Sequence, residues 1–242
     1  MRRVAITGIG IVSPLGATRE ATWAKVLAGE TAAAPVTQFD ARSWRTNFAC
    51  EVNDYVLPQE AVRATHQHLL NRSSVFGMGA ALEAMNDAKV EGTVSPERFG
   101  VSVGVGIGAV EPEDLSRMLS GIDVGQGEKD LARHLEGKKE SMLVLRNHPA
   151  TFAHLLSYRW RALGPLTTIN TACASSGQSI GQALLQIQRG EADVMLAGGA
   201  DSLAGELYLA AFCLIGATST RNDDPRAASR PFDKKRDGFV AS

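Results

Sequence analysis

Cysteine is scarce in this chain, with three in 242 residues at positions 50, 173 and 213. Three thiols in so long a chain build no disulfide framework, and a reducing cytoplasm is the expected setting. Long hydrophobic runs are absent. No stretch of about 18 apolar residues is present to span a membrane. The N-terminal MRRVAITGIG has two arginines without an apolar segment after them, so no signal peptide is expected. An excess of one charge is also missing. The 25 basic and 26 acidic residues leave a formal net charge of -1, which argues for neither a nucleic-acid nor a membrane surface. There are no internal repeats and no low-complexity tracts. Histidines number five, and His66 and His68 stand two apart, which turns them to different sides of a helix and against a shared metal. A solvated surface is expected for both.

What remains is ordinary globular composition, 44% apolar and 21% charged, in a length that suits one large domain or two small ones. The stretch that organises the chain is PLTTINTACASSGQSIGQALLQIQRGEADVMLAGGAD, residues 165–201. Residues 166–169 are β-rich. A single thiol, Cys173, follows where a helix begins. Ile180, Ala183, Leu184 and Ile187 then recur at the spacing of one buried helix face, and Gly190 ends the helix. Residues 192–197 form a mostly apolar run of strand length closed by Gly198 and Gly199. Strand, helix and strand make a βαβ unit, so the two strands should be parallel.

A helix start leaves unpaired N–H groups and the positive end of the helix dipole, which favour a thiolate and can hold an oxyanion. No charged side chain lies between Thr167 and Gln188, so the local backbone must do this work. A lone cysteine is otherwise most simply a small buried core residue. The small, polar flank Ala174, Ser175, Ser176 and Gly177 argues for access instead.

Elsewhere, residues 4–7 are predicted as a strand. Gly8-Ile9-Gly10 resembles the start of a dinucleotide fingerprint, but Ser13 replaces the third glycine and Pro14 follows, so an NAD-dependent oxidoreductase is rejected. Thr18 is placed to cap a helix running to about Ala28, closed by Gly29. Residues 31–57 are irregular, with Cys50 structural. Residues 59–89 are mostly helical, in two pieces broken near Asn71. Residues 99–105 are a strand closed by a glycine-rich turn, residues 112–139 a polar helix-and-loop excursion, and residues 205–214 an apolar helix. Residues 219–238 are a charged loop.

TACASSG, then IGQALLQIQRGEADVMLAGGAD, then STRNDDPRAASRPFDKKRDGF closely resemble the β-ketoacyl-acyl-carrier-protein synthases, in the family's order from Val4 to about Phe239. The resemblance implies an α/β thiolase-like fold, a mixed and mainly parallel sheet flanked by helices. The chain is expected to be a truncated N-terminal synthase domain over residues 1–242, lacking the last strand of that half and the whole C-terminal half. It implies that Cys173 carries an acyl chain, which is extended by decarboxylative condensation with a malonyl unit in fatty-acid or polyketide synthesis. Ile107 and Phe212 are implied to border the acyl chain. No metal or organic cofactor is implied. The implied partners are acyl carrier protein, in acyl and malonyl forms, and a second synthase subunit in a homodimer or heterodimer paired through residues 166–170.

The chain departs from the family's pattern in places. His66, His68 and Leu69 stand among Arg63 and Arg72 where many relatives are more basic, Gly216 stands for an arginine, and His154 for an asparagine taken as a packing variation. The two histidines and the lysine of the family's second half have no counterpart here. The chain alone is therefore expected not to condense. The alternative is a non-catalytic, synthase-like partner subunit that contributes an interface to another condensing enzyme, which would have no need of TACASS.

Overall fold

The computed structural model describes residues 2–106, 110–120 and 140–242. In chain order its elements are α1 (Arg19–Leu27), β1 (Ala33–Pro35), β2 (Phe48–Cys50), α2 (Arg72–Ala88), β3 (Phe99–Val105), α3 (Pro112–Leu119), α4 (Glu140–Asn147), α5 (Pro149–Trp160), β4 (Leu166–Ile169), α6 (Ser175–Gln188), β5 (Val194–Ala200) and α7 (Glu206–Leu214). They fall into two compact units, residues 1–10 with 57–201, and residues 11–56 with 202–242.

The first unit is built on a parallel three-stranded sheet in the order β4-β3-β5. The predicted parallel βαβ is present, with β4 and β5 both parallel to β3, which lies between them. All seven residues of β3 are buried, as its unbroken apolar and small composition requires of a central strand covered on both faces. Val101, Val103 and Val105 join Met78, Leu82, Met85, Phe152, Leu156 and Trp160 in one core, so α2 and α5 cover one face of the sheet. Asn71 starts α2 through a reciprocal bond pair with Ser74, which satisfies two otherwise unpaired donors. The break near Asn71 is thus real, but the piece before it is two 3-10 turns, Gln59–Ala61 and Ala64–Leu69, rather than an α-helix. At the other end of the sheet Arg98 clamps β3 to the approach of β5. It donates to both carboxylate oxygens of Asp193 (2.9 and 2.8 Å) and to Gly190 O (2.7 Å).

Residues 4–7, predicted as a strand, join no ladder. Gly8 and Gly10 press this segment onto α2 instead: a Cβ at Gly10 would lie 1.9 Å from Ala80 O, and one at Gly8 2.2 Å from Ala84 O. Ile9 N–H donates to the Asp87 carboxylate (3.1 Å). A cavity of about 720 Å3 is lined by residues 4–10, β5, α2 and α6, and Ile6 stays 82% exposed. Among the described residues β5 pairs with β3 alone, so one edge of β5 and this segment both lack strand partners.

Two further expectations shift. β5 runs to Ala200, so Gly198 and Gly199 lie inside the strand rather than closing it. The buried face of α6 is Ser175, Ser179, Ala183 and Gln186, while Ile180 and Leu184 are 52% and 41% exposed and line the cavity. The helix packs through its small side chains, because these allow the closest approach to the sheet.

The buried Asp114 carboxylate of α3 accepts from the Asn147 amide (2.8 Å) and faces Arg146 of α4 (2.9 Å), which offsets the cost of burying a charge. The predicted 112–139 excursion is helical over α3, and residues 121–139 lie outside the described residues.

In the second unit Thr18 caps α1 by accepting from Ala21 N–H, and Gly29 (φ +68°) follows its end, as the sequence suggested. β1 and β2 pair antiparallel. A small core joins Ala49, Ala204, Leu209 and Ala241, with Phe39, Trp44 and Cys213 packed on it. Burial pushes the Cys50 thiol pKa up, in keeping with a structural cysteine.

The charged loop, residues 219–238, is ordered by Asp237. Its carboxylate accepts from Ser219 Oγ (2.9 Å) and Thr220 N–H (3.0 Å), with Arg221 beside it. Thr220 N–H foremost, then Ser219 and Arg221, hold the Asp237 carboxyl down at a pKa of about 2, against an ordinary 3.8. A group whose folded pKa is lowered stabilises above its unfolded pKa and loses that contribution as pH falls through the folded one. The Asp237 contribution is therefore expected to fade between about pH 4 and pH 2. Urea midpoints followed across that window should fall less steeply for Asp237→Asn than for the native chain, and parallel curves would contradict the assignment.

Candidate active site

The TACASSG motif sits at the end of β4, on the carboxyl side of the parallel sheet, where open α/β sheets place their ligand sites. Thr171 leaves β4 and Ala172 turns the chain at φ +53°. A non-glycine residue in this left-handed region costs about 1–3 kcal/mol and persists only where its surroundings impose it. Residues 172–174 make one 3-10 turn, and α6 starts at Ser175. Cys173 stands on that turn as a free, exposed thiol.

No side chain caps α6; the 3-10 turn before it uses the Ala174 and Ser175 N–H groups, which bond Thr171 O and Ala172 O, and the positive end of the helix dipole faces the Cys173 turn. The flank is open as well: a Cβ at Gly177 would meet nothing within 4 Å. An exposed thiol, an uncapped helix start and open space beside it can carry out nucleophilic attack on a carbonyl and hold the resulting oxyanion.

The helix start is seated by residues that the motif alone did not single out. A Cβ on Gly104 of β3 would fall 2.4 Å from the Ser175 carbonyl carbon and 2.5 Å from Ser176 N. One on Gly199 of β5 would fall 2.8 Å from Ser176 Cβ. Both glycines exist for this close approach. Ser179 Oγ bonds Gly198 O (2.6 Å) and Ser176 O (2.8 Å), and Thr171 Oγ1 donates to Gln178 Oε1 (2.7 Å). The only sequence signal for this seating was the clustering of glycine and serine at the ends of three separate segments.

Of the other predicted site residues, Ile107 lies outside the described residues. Phe212 is half-buried on α7 of the second unit, edge-on to Phe239 with ring centroids 5.0 Å apart. His154 is not a packed residue as expected: it is exposed, and its Nδ1 lies 2.8 Å from Ala150 O one turn back on its own helix. His68 is exposed as predicted, whereas His66 is half-buried against the Tyr158 ring, 4.2 Å between centroids. Arg63 covers Tyr158 at 4.7 Å, and Arg72 covers Phe76 at 5.4 Å. Among the described residues no three His, Cys, Asp or Glu side chains gather as a metal site, and no helix is long and apolar enough to cross a membrane.

Residues 1–242 match the family described as "Beta-ketoacyl synthase, N-terminal domain". The "3-oxoacyl-[acyl-carrier-protein] synthase 2" of Coxiella burnetii is 35% identical over 99% of this chain and 55% of its own length. The "Tetracenomycin polyketide synthase ketoacyl synthase alpha subunit" of Streptomyces glaucescens is 34% identical over 99% of this chain and 55% of its own. Among solved structures, a β-ketoacyl synthase from Burkholderia phymatum superposes with a TM-score of 0.79 at 31% identity, covering 99% of this chain and 56% of that one. "The ishigamide ketosynthase/chain length factor" gives 0.77 at 30% identity, with 99% and 55% covered. The chain thus spans about half the length of the curated relatives it matches. Its α/β architecture, with Cys173 at the start of α6 beside a parallel sheet, is that of the thiolase-like ketosynthases, and the chain belongs to the β-ketoacyl synthase family, as an N-terminal domain of it.

Proposed function

We propose that Cys173 is the acyl-accepting nucleophile of a β-ketoacyl-acyl-carrier-protein synthase in fatty-acid or polyketide synthesis. In this reading the thiolate takes an acyl group from a thioester. A malonyl unit on acyl carrier protein then loses carbon dioxide, and the carbanion so formed attacks the acyl-enzyme to release a β-ketoacyl product. The observation that carries the reading is the exposed Cys173 on a strained turn at an uncapped helix start.

Residues 1–242 act here as the first half of the synthase. The decarboxylation donors belong to a second half, so the chain alone accepts an acyl group but does not condense. Acyl carrier protein and a second synthase subunit, identical or related, are the inferred partners. Two features support this. One neighbour is titled a type II polyketide acyl-carrier protein in complex with its ketosynthase (TM-score 0.73, 27% identity). The outer edge of β4 also has no strand partner among the described residues. The cytoplasm is the inferred compartment, in keeping with three free thiols.

The test is to incubate the purified chain with an acyl-loaded carrier protein and to map the acyl mass by peptide. An acyl adduct on the Cys173 peptide, with no new carbon–carbon bond after malonyl carrier protein is added, is the expected result. Absence of any adduct would favour the non-catalytic partner subunit, and a β-ketoacyl product would show that the second half is dispensable.

A further inference from the structure

We infer that Ser175 is a positioning residue for Cys173, acting through the strained turn between them; the inference rests on Cys173 being the nucleophile. The Ser175 side chain is buried, at 3% exposure, directly beneath an exposed turn. Its Oγ accepts from Thr171 N–H at 2.7 Å. It also lies 2.8 Å from Ala172 O and 3.2 Å from Val105 O, to one of which its single hydroxyl proton is donated at a time.

One hydroxyl therefore brackets the two residues Thr171 and Ala172, touching the peptide before Thr171 and the peptide after Ala172, the residue forced to φ +53°, and can anchor this turn to the end of β3. Ala172 has no intrinsic preference for that conformation. The peptide that carries the Cys173 N–H is the same peptide whose carbonyl Ser175 holds, so fixing that carbonyl also fixes where this N–H points. An oxyanion donor is effective only when it is aimed before charge develops. Ser175 thus orients a donor without touching the substrate.

The experiment compares two reactions of Cys173 in the same protein, each located by peptide mapping. In the first, an aryl thioester acylates the thiol. The thiolate forms a carbon–sulfur bond, the carbonyl electron pair becomes an oxyanion, and its collapse expels the aryl thiolate. In the second, iodoacetamide alkylates the thiol by displacing iodide, with no oxyanion formed. The variants are Ser175→Ala and Ala172→Val. The second leaves the buried site intact and changes only an exposed residue, whose branched side chain resists the left-handed turn.

Acylation is expected to fall about tenfold or more in both variants, with alkylation changed by less than about threefold. A merely structural role would slow both reactions alike. Equal slowing, or no slowing, in the variants would overturn the positioning role while leaving Cys173 as the nucleophile. Native acylation no faster than that of a free cysteine peptide would overturn the nucleophile reading and the positioning role together. Should Ser175→Ala fail to fold, Ser175→Cys, which keeps the side-chain shape but has only a weak donor and acceptor, takes its place in the same comparison.

Discussion

Cys173→Ala is expected to abolish covalent acylation of the chain while leaving its stability within about 0.5 kcal/mol of the native value. The two halves of this expectation have separate causes. The thiol is exposed and packs against nothing that its removal would leave as a cavity, so a surface-type cost applies. The two other cysteines, Cys50 and Cys213, are half-buried, and Cys50 is further disfavoured as a thiolate by burial. Intact-mass measurement after exposure to an acyl thioester, beside a urea unfolding curve, checks both halves at once. A native-like unfolding curve with no acyl adduct is the expected pair. An adduct of undiminished yield on another residue would show that Cys173 is not the acceptor.

Gly104→Val is expected to cost about 3 kcal/mol and to slow acylation of Cys173 as well, because the same contact serves fold and site. Gly104 lies in the middle strand of the sheet, paired with Ile169 on one side and Gly199 on the other. Its missing Cβ leaves the space into which the start of α6 fits, with Ser175 backbone 2.4 Å from where that carbon would be. Backbone on both sides cannot rotate away as a long side chain would, so strand and helix must separate. That separation would draw Ser175 Oγ away from Val105 O and loosen the turn that presents Cys173. Denaturant midpoints and the acylation rate should therefore fall together, in contrast to Cys173→Ala, where only the acylation is lost. Undisturbed acylation in a destabilised Gly104→Val protein would mean that the seat of the helix and the aim of the thiol are independent.

Reading the residues in order went far where chemistry is local. The thiol at a helix start, the strand 99–105, the Thr18 cap and the break at Asn71 each depend on neighbours a few positions away, and each stands in the structure. The helical spacing of Ile180, Ala183, Leu184 and Ile187 misled for a physical reason. Periodicity reports which residues share a face, not which face has a partner, and here the small face of Ser175, Ser179 and Ala183 takes the sheet. Residues 4–7 show the same limit: a β-rich run becomes a strand only when another strand supplies its hydrogen bonds, and the close fit of Gly8 and Gly10 on α2 governs its position instead.

Sequence alone was enough for the family, the α/β class and the place of Cys173 at a helix start, because ordered motifs and one thiol at a helix start carry that information without distant contacts. The order β4-β3-β5, the buried Ser175 hydroxyl beneath the strained Ala172, and the glycine seat for α6 required the fold. The sheet order, the glycine seat and the Ser175 contact with Val105 O join segments far apart in the chain, and close packing, not local preference, sets such relations.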